Sequence, residues 1–155
     1  WRVGYAAGPT NVINAMNKVQ SQNVSSTASI SMAASVEALT GDQSFITSHN
    51  ESFLRRRDLV VKNLNETPGL SCRVPEGAFY VFASCEGVLG KKTESGKIIE
   101  ADGDFMDYLL EEVGVAGVQG SAFGLDGFFR ISYATSDSIL EDACQRIKLA
   151  CSKLS

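Results

Sequence analysis

An arginine within a strand-like run is the residue whose chemistry is most informative. Residues 128–133 read Phe-Phe-Arg-Ile-Ser-Tyr, and in a strand Arg130 shares one face with Phe128 and Ser132. A guanidinium among apolar neighbours is costly unless it meets an anion. Its planar fork of N–H groups suits a carboxylate, which it binds through two parallel hydrogen bonds. The alternatives are a structural ion pair and an edge strand that faces water.

Few other side chains could carry chemistry. Arg2 also lies in a strand-like run, and taken alone it favours a structural role. The chain has 1 histidine, His49, in a polar stretch of a predicted helix, which excludes a His-rich metal site. The 4 cysteines form no CxxC pair, and we expect them to be reduced and mostly buried. Two of them, Cys144 and Cys151, lie roughly 10 Å apart along a predicted helix, beyond the reach of a disulfide.

Other motif-like stretches fail on spacing or context. Residues 90–97 resemble a phosphate-binding P-loop, but the two glycines are one residue too far apart and Ile98 occupies the Ser/Thr position. Three glycines within residues 114–120 lack the GxGxxG spacing. The arginines at 55–57 could form an anion or nucleic-acid patch, but acidic neighbours dilute their charge. A solvated helix face is therefore the favoured interpretation of that run.

Composition is typical of one ordered α/β domain. The chain has 155 residues, of which 44% are hydrophobic, with 14 glycines and 3 prolines. Its net charge is −4 with the two signs interspersed, which disfavours a nucleic-acid partner. No apolar run approaches the roughly 20 residues that span a membrane. We expect neither nucleic acid nor a membrane as a partner.

The first third of the chain is predicted to be mostly helical. Residues 3–7 are read as a strand, and Thr10 as the cap of a helix to about Gln20. After a polar break at 21–29, a helix runs from Ser29 to Leu39 and stops at Gly41. One long helix then covers Gln43 to about Glu66. Its apolar stripe is Ile46, Phe53, Val60 and Leu64.

The rest is predicted to be a small sheet with helices. The strands are placed at residues 70–74, 78–83, 115–119 and 128–133, and the run 78–83 is expected to be buried on both faces. Surface loops are placed at 86–104 and 120–124, and a helix at 105–113. The last helix is capped by Ser136, and its apolar stripe is Leu140, Ala143, Cys144, Ile147, Ala150 and Cys151. These elements predict an α+β fold, a two-layer α/β sandwich.

Four stretches resemble class I and II aminotransferases of fold type I. Residues 1–5, Trp-Arg-Val-Gly-Tyr, resemble the segment that follows the cofactor lysine, where the family pattern is Ser-Lys, a few residues, then Gly-Trp-Arg-x-Gly. Residues 75–80 are similar to the family's small-domain strand. Residues 120–124 resemble the loop before its late Arg-x-Ser strand, which residues 129–134 match. The resemblance covers the chain in order and is greatest to bacterial aspartate aminotransferases.

The resemblance implies roles for three residues. Arg2 matches the arginine that binds the phosphate of pyridoxal 5'-phosphate (PLP), and Arg130 the arginine that pairs with the substrate α-carboxylate. The ring of Phe79 is expected near the substrate. PLP supplies an electron sink for chemistry at the amino acid's α-carbon. No catalytic residue and no metal ligand is expected here, because the cofactor lysine would lie upstream of Trp1.

The expected protein is thus the C-terminal part of a PLP-dependent aminotransferase, a cytoplasmic homodimer when full length. It would transfer an amino group between an amino acid, aspartate by preference, and a 2-oxo acid. Residues 1–25 would be the tail of the large domain and the start of the interdomain helix. Residues 26–155 would be the small C-terminal domain. The chain alone is expected to be inactive and not to bind PLP.

Two alternatives stay open at this point. Another fold type I PLP enzyme, a lyase or a synthase, could carry the same motifs. A non-enzymatic binding module could use the small-domain surface. The amino-group donor is also open among aspartate, aromatic amino acids and prephenate chemistry, because selectivity for a distal carboxylate depends on residues outside this chain.

Overall fold

The computed structural model describes residues 2–155, so the predicted role of Trp1 in the Trp-Arg pair lies outside the described residues. The chain divides into two compact units, with the boundary between Thr47 and Ser48. The first unit contains two helices, and the second contains a sheet with the remaining helices. The predicted domain boundary at residue 25 is not tested by this division and stays a prediction.

The first unit consists of an irregular start and helices α1 (Thr10–Asn23) and α2 (Ser29–Thr40). The predicted strand at residues 3–7 is wrong: a strand needs a hydrogen-bonded partner, and this segment has none among the described residues. Thr10 is not a cap either, because Pro9 occupies the N-cap position and makes no side-chain hydrogen bond. The polar break is shorter than expected, since α1 continues to Asn23. α2 ends at Gly41, as predicted.

The two helices of the first unit leave their apolar side chains exposed. Ser31 is the one buried residue of the described α1 and α2. The exposed apolar side chains of these helices are Val12, Met16, Val19, Ile30, Met32, Val36 and Leu39. Residues 2–47 therefore contribute no side chain to the hydrophobic core, which the second unit contains.

The second unit is built on a four-stranded antiparallel sheet in the order β1-β2-β4-β3. The strands are β1 (Ser71–Cys72), β2 (Tyr80–Ser84), β3 (Val118–Gln119) and β4 (Phe128–Ser132). The helices are α3 (Phe45–Asn65), which begins in the first unit, α4 (Asp102–Val113) and α5 (Asp137–Ser152). Strands and helices share one hydrophobic core, so the predicted α+β fold is confirmed.

The core lies on one face of the sheet. Val81, Ala83 and Phe129 are fully buried there, against side chains of the three helices. Tyr80 and Phe82, which alternate with them along β2, are only half-buried. The expectation that 78–83 is buried on both faces is therefore wrong. An antiparallel sheet commonly packs one face on a core and leaves the other open.

The helical stripes were predicted well where they meet the sheet. In α3, Val60 and Leu64 are buried, whereas Ile46 near its start is exposed. In α5, every residue of the predicted stripe is buried except Ala143, which is half-buried. The hydroxyl of Ser136 accepts a hydrogen bond from the Ile139 backbone N–H at 3.4 Å, so the predicted cap is confirmed. No helix among residues 2–155 is both long and apolar enough to cross a membrane.

The predicted loops contain more helix than expected. A short 3-10 helix, Glu86–Val88, lies in the first, and a second, Gly120–Phe123, replaces the loop before β4. α4 begins at Asp102, three residues before the predicted start. The carboxylate of Asp104 accepts hydrogen bonds at 3.1 Å from the backbone N–H groups of Glu100 and Ala101. Acidic residues in a first turn stabilise a helix start electrostatically.

The four cysteines are buried, and none is in a disulfide, as predicted. Burial raises the pKa of the Cys85 and Cys151 thiols to about 12. Thiols with such a high pKa are poor nucleophiles at neutral pH, since the thiolate is the reactive form. The cysteines therefore belong to the core packing.

The arginine run of α3 holds two helices together. Arg55 and Arg56 each place Nε 2.8 Å from a carboxylate oxygen of Asp137, the first residue of α5. Arg57 pairs instead with its neighbour Asp58 at 2.7 Å. The favoured interpretation, a solvated face, is thus incomplete. A single carboxylate bridges two arginines across elements that are distant in sequence.

We expect Asp137→Asn to lower the stability of the second unit in a pH-dependent way. Hydrogen bonds from Arg55 and Arg56 lower the pKa of Asp137 from 3.8 to about 2. A depressed carboxyl pKa gives a stabilisation that is present above the ordinary pKa and is lost as the pH falls through the folded value. Thermal unfolding from pH 7 to pH 2 should therefore show a difference between wild type and variant that closes on acidification.

Asp142→Asn is the matched control for this prediction. Asp142 is an exposed carboxylate of the same helix and pairs within it with Arg146 alone, at 2.8 Å. Its replacement should cost less, because surface pairs four residues apart contribute little. Equal losses in both variants at every pH would contradict the bridging role of Asp137.

Candidate functional site

Arg130 lies at the centre of the sheet. Its strand β4 runs between β2 and β3, and Arg130 pairs with Phe82 on one side and Val118 on the other. The alternative of an edge strand is therefore wrong. Because Phe129 points into the core, Arg130 projects from the opposite face, where the predicted alternation along the strand places it.

The guanidinium of Arg130 is flanked by two aromatic rings. Its Cζ atom lies 4.4 Å from the ring centroid of Tyr80 and 4.4 Å from that of Phe123. These distances fit cation–π contacts, which arginine makes more often than lysine. Tyr80 comes from β2 and Phe123 from the 3-10 helix before β4, so two separate elements meet at this side chain.

No acidic residue between positions 2 and 155 lies within salt-bridge distance of Arg130, which argues against a structural ion pair. The side chain is half-buried. Over the same range, no side-chain nitrogen or oxygen is buried without a hydrogen-bond partner, so its N–H groups reach solvent. A half-buried arginine held by rings and unpaired with an acid is available to an anion.

Phe79 lies beside this arrangement. Its ring is 41% exposed, and its centroid is 4.5 Å from that of Tyr80. The backbone around it is tied to the end of β4: the Tyr133 N–H donates to the Phe79 carbonyl at 2.9 Å, and the Tyr133 hydroxyl donates to the Ala78 carbonyl at 3.0 Å. Phe79 and Arg130 are thus brought together through Tyr80.

The position of Phe123 is determined by the turn that carries it. The Ser121 backbone N–H donates to Oδ2 of Asp102 at 2.7 Å, and this carboxylate is only 2% exposed. A Cβ atom at Gly120 would clash with the Leu125 carbonyl oxygen, so only glycine allows this close approach. The hydrogen bond from Ser121 to Asp102 therefore holds the 3-10 helix, and the Phe123 that it carries, against the start of α4.

Arg2 lies in the first unit, whereas Phe79 and Arg130 lie in the second. It is exposed, has a positive φ of 55°, and lines an open cavity of about 290 Å³ with residues of α2. An exposed guanidinium suits a phosphate, but no lysine lines this cavity. Among the described lining residues, Arg2 is the one cation that this cavity offers to an anion.

Sequence reasoning missed Tyr80 and Phe123. Tyr80 belonged to a run that was expected to be buried, and Phe123 to a loop. The signal was the pairing register: once Phe82 is opposite Arg130, Tyr80 is the diagonal neighbour on the same face, within reach of a long side chain. Strand pairing gives no such indication for Phe123, because its position depends on the turn before β4.

Known proteins resemble this chain along its whole length. The aminotransferase class I and II family matches residues 1–147. An aspartate aminotransferase of Rhizobium meliloti (strain 1021) is 61% identical over 155 residues, which are 100% of this chain and 38% of that protein. An aspartate/prephenate aminotransferase of Cereibacter sphaeroides is 52% identical over 155 residues, again 100% of this chain, and 39% of that protein.

Solved structures of aminotransferases also match this chain. The crystal structure of the aspartate aminotransferase from Rhizobium meliloti matches with a TM-score of 0.91 at 61% identity, over 100% of this chain and 39% of that one. The aspartate aminotransferase from Thermus thermophilus with maleate matches with a TM-score of 0.81 at 37% identity, over 97% of this chain and 37% of that one. The chain thus spans less than two fifths of the length of these relatives.

Proposed function

The chain belongs to the aminotransferase class I and II family, and from this membership we propose that it is the C-terminal, carboxylate-binding part of a PLP-dependent aminotransferase. The parent protein would transfer an amino group between aspartate and a 2-oxo acid. Aspartate is favoured as the donor because the similar proteins are named aspartate or aspartate/prephenate aminotransferases. We further propose a cytoplasmic homodimer, in which residues 1–25 belong to the large domain and residues 26–155 form the small domain.

The observation that carries this proposal is the state of Arg130. Its side chain is half-buried, its Cζ atom lies 4.4 Å from each of two ring centroids, and it is unpaired with any acid among residues 2–155. Bidentate binding of an α-carboxylate would satisfy its N–H fork and fix the amino acid's orientation. Holding a reactant in the productive geometry is a large part of catalysis. This chain's contribution is therefore substrate orientation.

The other two site residues keep secondary roles in the proposal. Phe79, adjacent to Tyr80 and partly exposed, would bound the substrate next to Arg130. Arg2 would bind the phosphate of PLP once residues outside this chain complete the pocket. Both assignments rest on the family resemblance and on the exposure of these side chains.

Assays of the full-length protein against a panel of donors test the proposal. The purified protein, supplied with PLP, is given aspartate, an aromatic amino acid or glutamate, with 2-oxoglutarate or prephenate as acceptor. We expect amino-group transfer, with aspartate and 2-oxoglutarate yielding glutamate and oxaloacetate. Elimination or cyclisation products without transfer would show a lyase or synthase and would overturn the proposal.

The isolated chain is expected to carry no specific PLP attachment. When residues 1–155 are mixed with one equivalent of PLP and treated with borohydride, intact mass should show no stoichiometric pyridoxyl adduct. The reason is that no lysine lines the cavity at Arg2, so no amine is placed there to form a Schiff base. The full-length protein, treated identically, should carry one adduct per chain. A single labelled lysine in the isolated chain would refute this expectation.

A further inference from the structure

We propose that Tyr80 and Phe123 are positioning residues for Arg130: the two rings flank its guanidinium so that its N–H edge, and not its face, meets the substrate carboxylate. Tyr80, Phe123 and Arg130 together form this aromatic clamp. The inference rests on the proposed carboxylate-binding role of Arg130. It adds two residues to which no role has been given by the family resemblance.

The two rings of the clamp lie at equal distances from Arg130. Both ring centroids lie 4.4 Å from Cζ, closer than the roughly 6 Å limit for a cation–π contact. A guanidinium presents flat faces and an edge of five N–H donors. Rings bind the faces, whereas a carboxylate binds the edge. Stacking therefore leaves the ligand-binding donors free while it holds the plane that contains them.

The clamp also reduces the entropy that Arg130 loses on binding. A free arginine side chain samples many rotamers, and fixing it opposes ligand binding. A side chain that is already fixed in the free protein loses less, which is the general basis of preorganisation. The turn at Ser121 and Asp102 keeps Phe123 in place, and strand β2 keeps Tyr80 in place. The backbone that carries each of the two rings is therefore held in place by neighbouring hydrogen bonds.

The exposure of Phe123 argues for a role outside the core. Its side chain is 49% exposed, so its ring contributes little to core packing. Its ring contacts among residues 2–155 are the cation–π contact with Arg130 and an edge-to-face contact with Phe82 at 6.0 Å. Removing this ring should thus change ligand binding much more than folding.

The test measures binding of maleate, a dicarboxylate without an amino group, to the full-length protein with PLP by isothermal titration calorimetry. We expect Phe123→Leu to raise the Kd for maleate about tenfold, as for loss of one partly desolvated cation–π contact. Phe123→Tyr, which keeps a ring, should restore the Kd to within about twofold of wild type.

Phe128→Leu is the matched control. It makes the same chemical change on the same sheet face, but its ring stacks on Phe82 at 5.5 Å and not on Arg130. Maleate affinity should be unchanged in this variant. An unchanged Kd in Phe123→Leu, or an equal loss in Phe128→Leu, overturns the clamp. Should Phe123→Leu not fold, as judged by its Tm, Tyr80→Leu replaces it with the same expected tenfold rise.

Failure of the clamp can be told apart from failure of the proposed function. If Arg130→Ala abolishes maleate binding but Phe123→Leu does not weaken it, Arg130 binds the carboxylate without help from the rings. If Arg130→Ala leaves the Kd unchanged, the carboxylate-binding role itself is wrong and the clamp with it. Weakening in Arg130→Ala and Phe123→Leu, with rescue by Phe123→Tyr, supports both.

Discussion

Replacing Arg130 by alanine in the full-length protein is expected to lower kcat/KM for aspartate by about 10²–10³-fold. Truncating one partner of a hydrogen-bonded charge pair costs about 2–5 kcal/mol, and each 1.4 kcal/mol is a factor of about ten. The loss should affect kcat as well as KM, because an unanchored α-carboxylate leaves the α-carbon misoriented. Steady-state kinetics with aspartate and 2-oxoglutarate measure both constants.

Arg130→Lys separates charge from geometry. Lysine keeps the positive charge but loses the planar fork and stacks less well between rings. We expect activity between wild type and alanine, with a higher KM than wild type. Folding should be intact in both variants, since Arg130 lies on the open face of the sheet. An alanine variant that folds and keeps wild-type kcat/KM would contradict the carboxylate-binding role.

Replacing the neighbouring Phe129 by alanine should instead strongly destabilise the second unit. Phe129 is 0% exposed, and its ring packs edge-on against Phe105 with centroids 5.6 Å apart. Deleting a buried phenyl ring costs about 3–5 kcal/mol, from lost transfer free energy and from the cavity that remains. Domains are stable by only about 5–15 kcal/mol, so the loss is a large fraction of the total. Urea denaturation followed by circular dichroism measures it.

Phe128→Ala is the control for this second effect. Phe128 belongs to the same strand but projects from the open face and is half-buried. We expect a loss well below that of Phe129→Ala, because solvent already reaches the ring. Equal losses would show that both sheet faces are packed alike, contrary to the burial pattern. Of three successive residues, Phe129 is thus expected to matter for folding, Arg130 for binding and Phe128 much less for folding.

Helices were predictable from the sequence because their signals are local. The stripe of α5 recurs at helical spacing, and Val60 and Leu64 of α3 follow the same rule. The cap at Ser136 is local too. Thr10 looked equivalent, but Pro9 took the N-cap position. Local chemistry therefore identifies a helix more reliably than it identifies the residue at which the helix begins.

Strands were harder because a strand is defined by its partner. Residues 3–7 have the composition of a strand but no partner among the described residues. The run 78–83 could not reveal how many of its faces are covered, since this depends on which elements lie above the sheet. The alternation around Arg130 was predictable, whereas its two ring neighbours depend on register and on a turn held by Asp102.

The most direct test of the account is a crystal structure of the full-length protein with PLP and maleate. We expect one maleate carboxylate to accept two hydrogen bonds from the Arg130 guanidinium, with N···O distances of about 2.7–2.9 Å. The rings of Tyr80 and Phe123 should remain over the faces of that guanidinium. A maleate bound elsewhere, or an Arg130 that is turned away from both carboxylates, would contradict the assignment of this chain as the carboxylate-binding part of an aminotransferase.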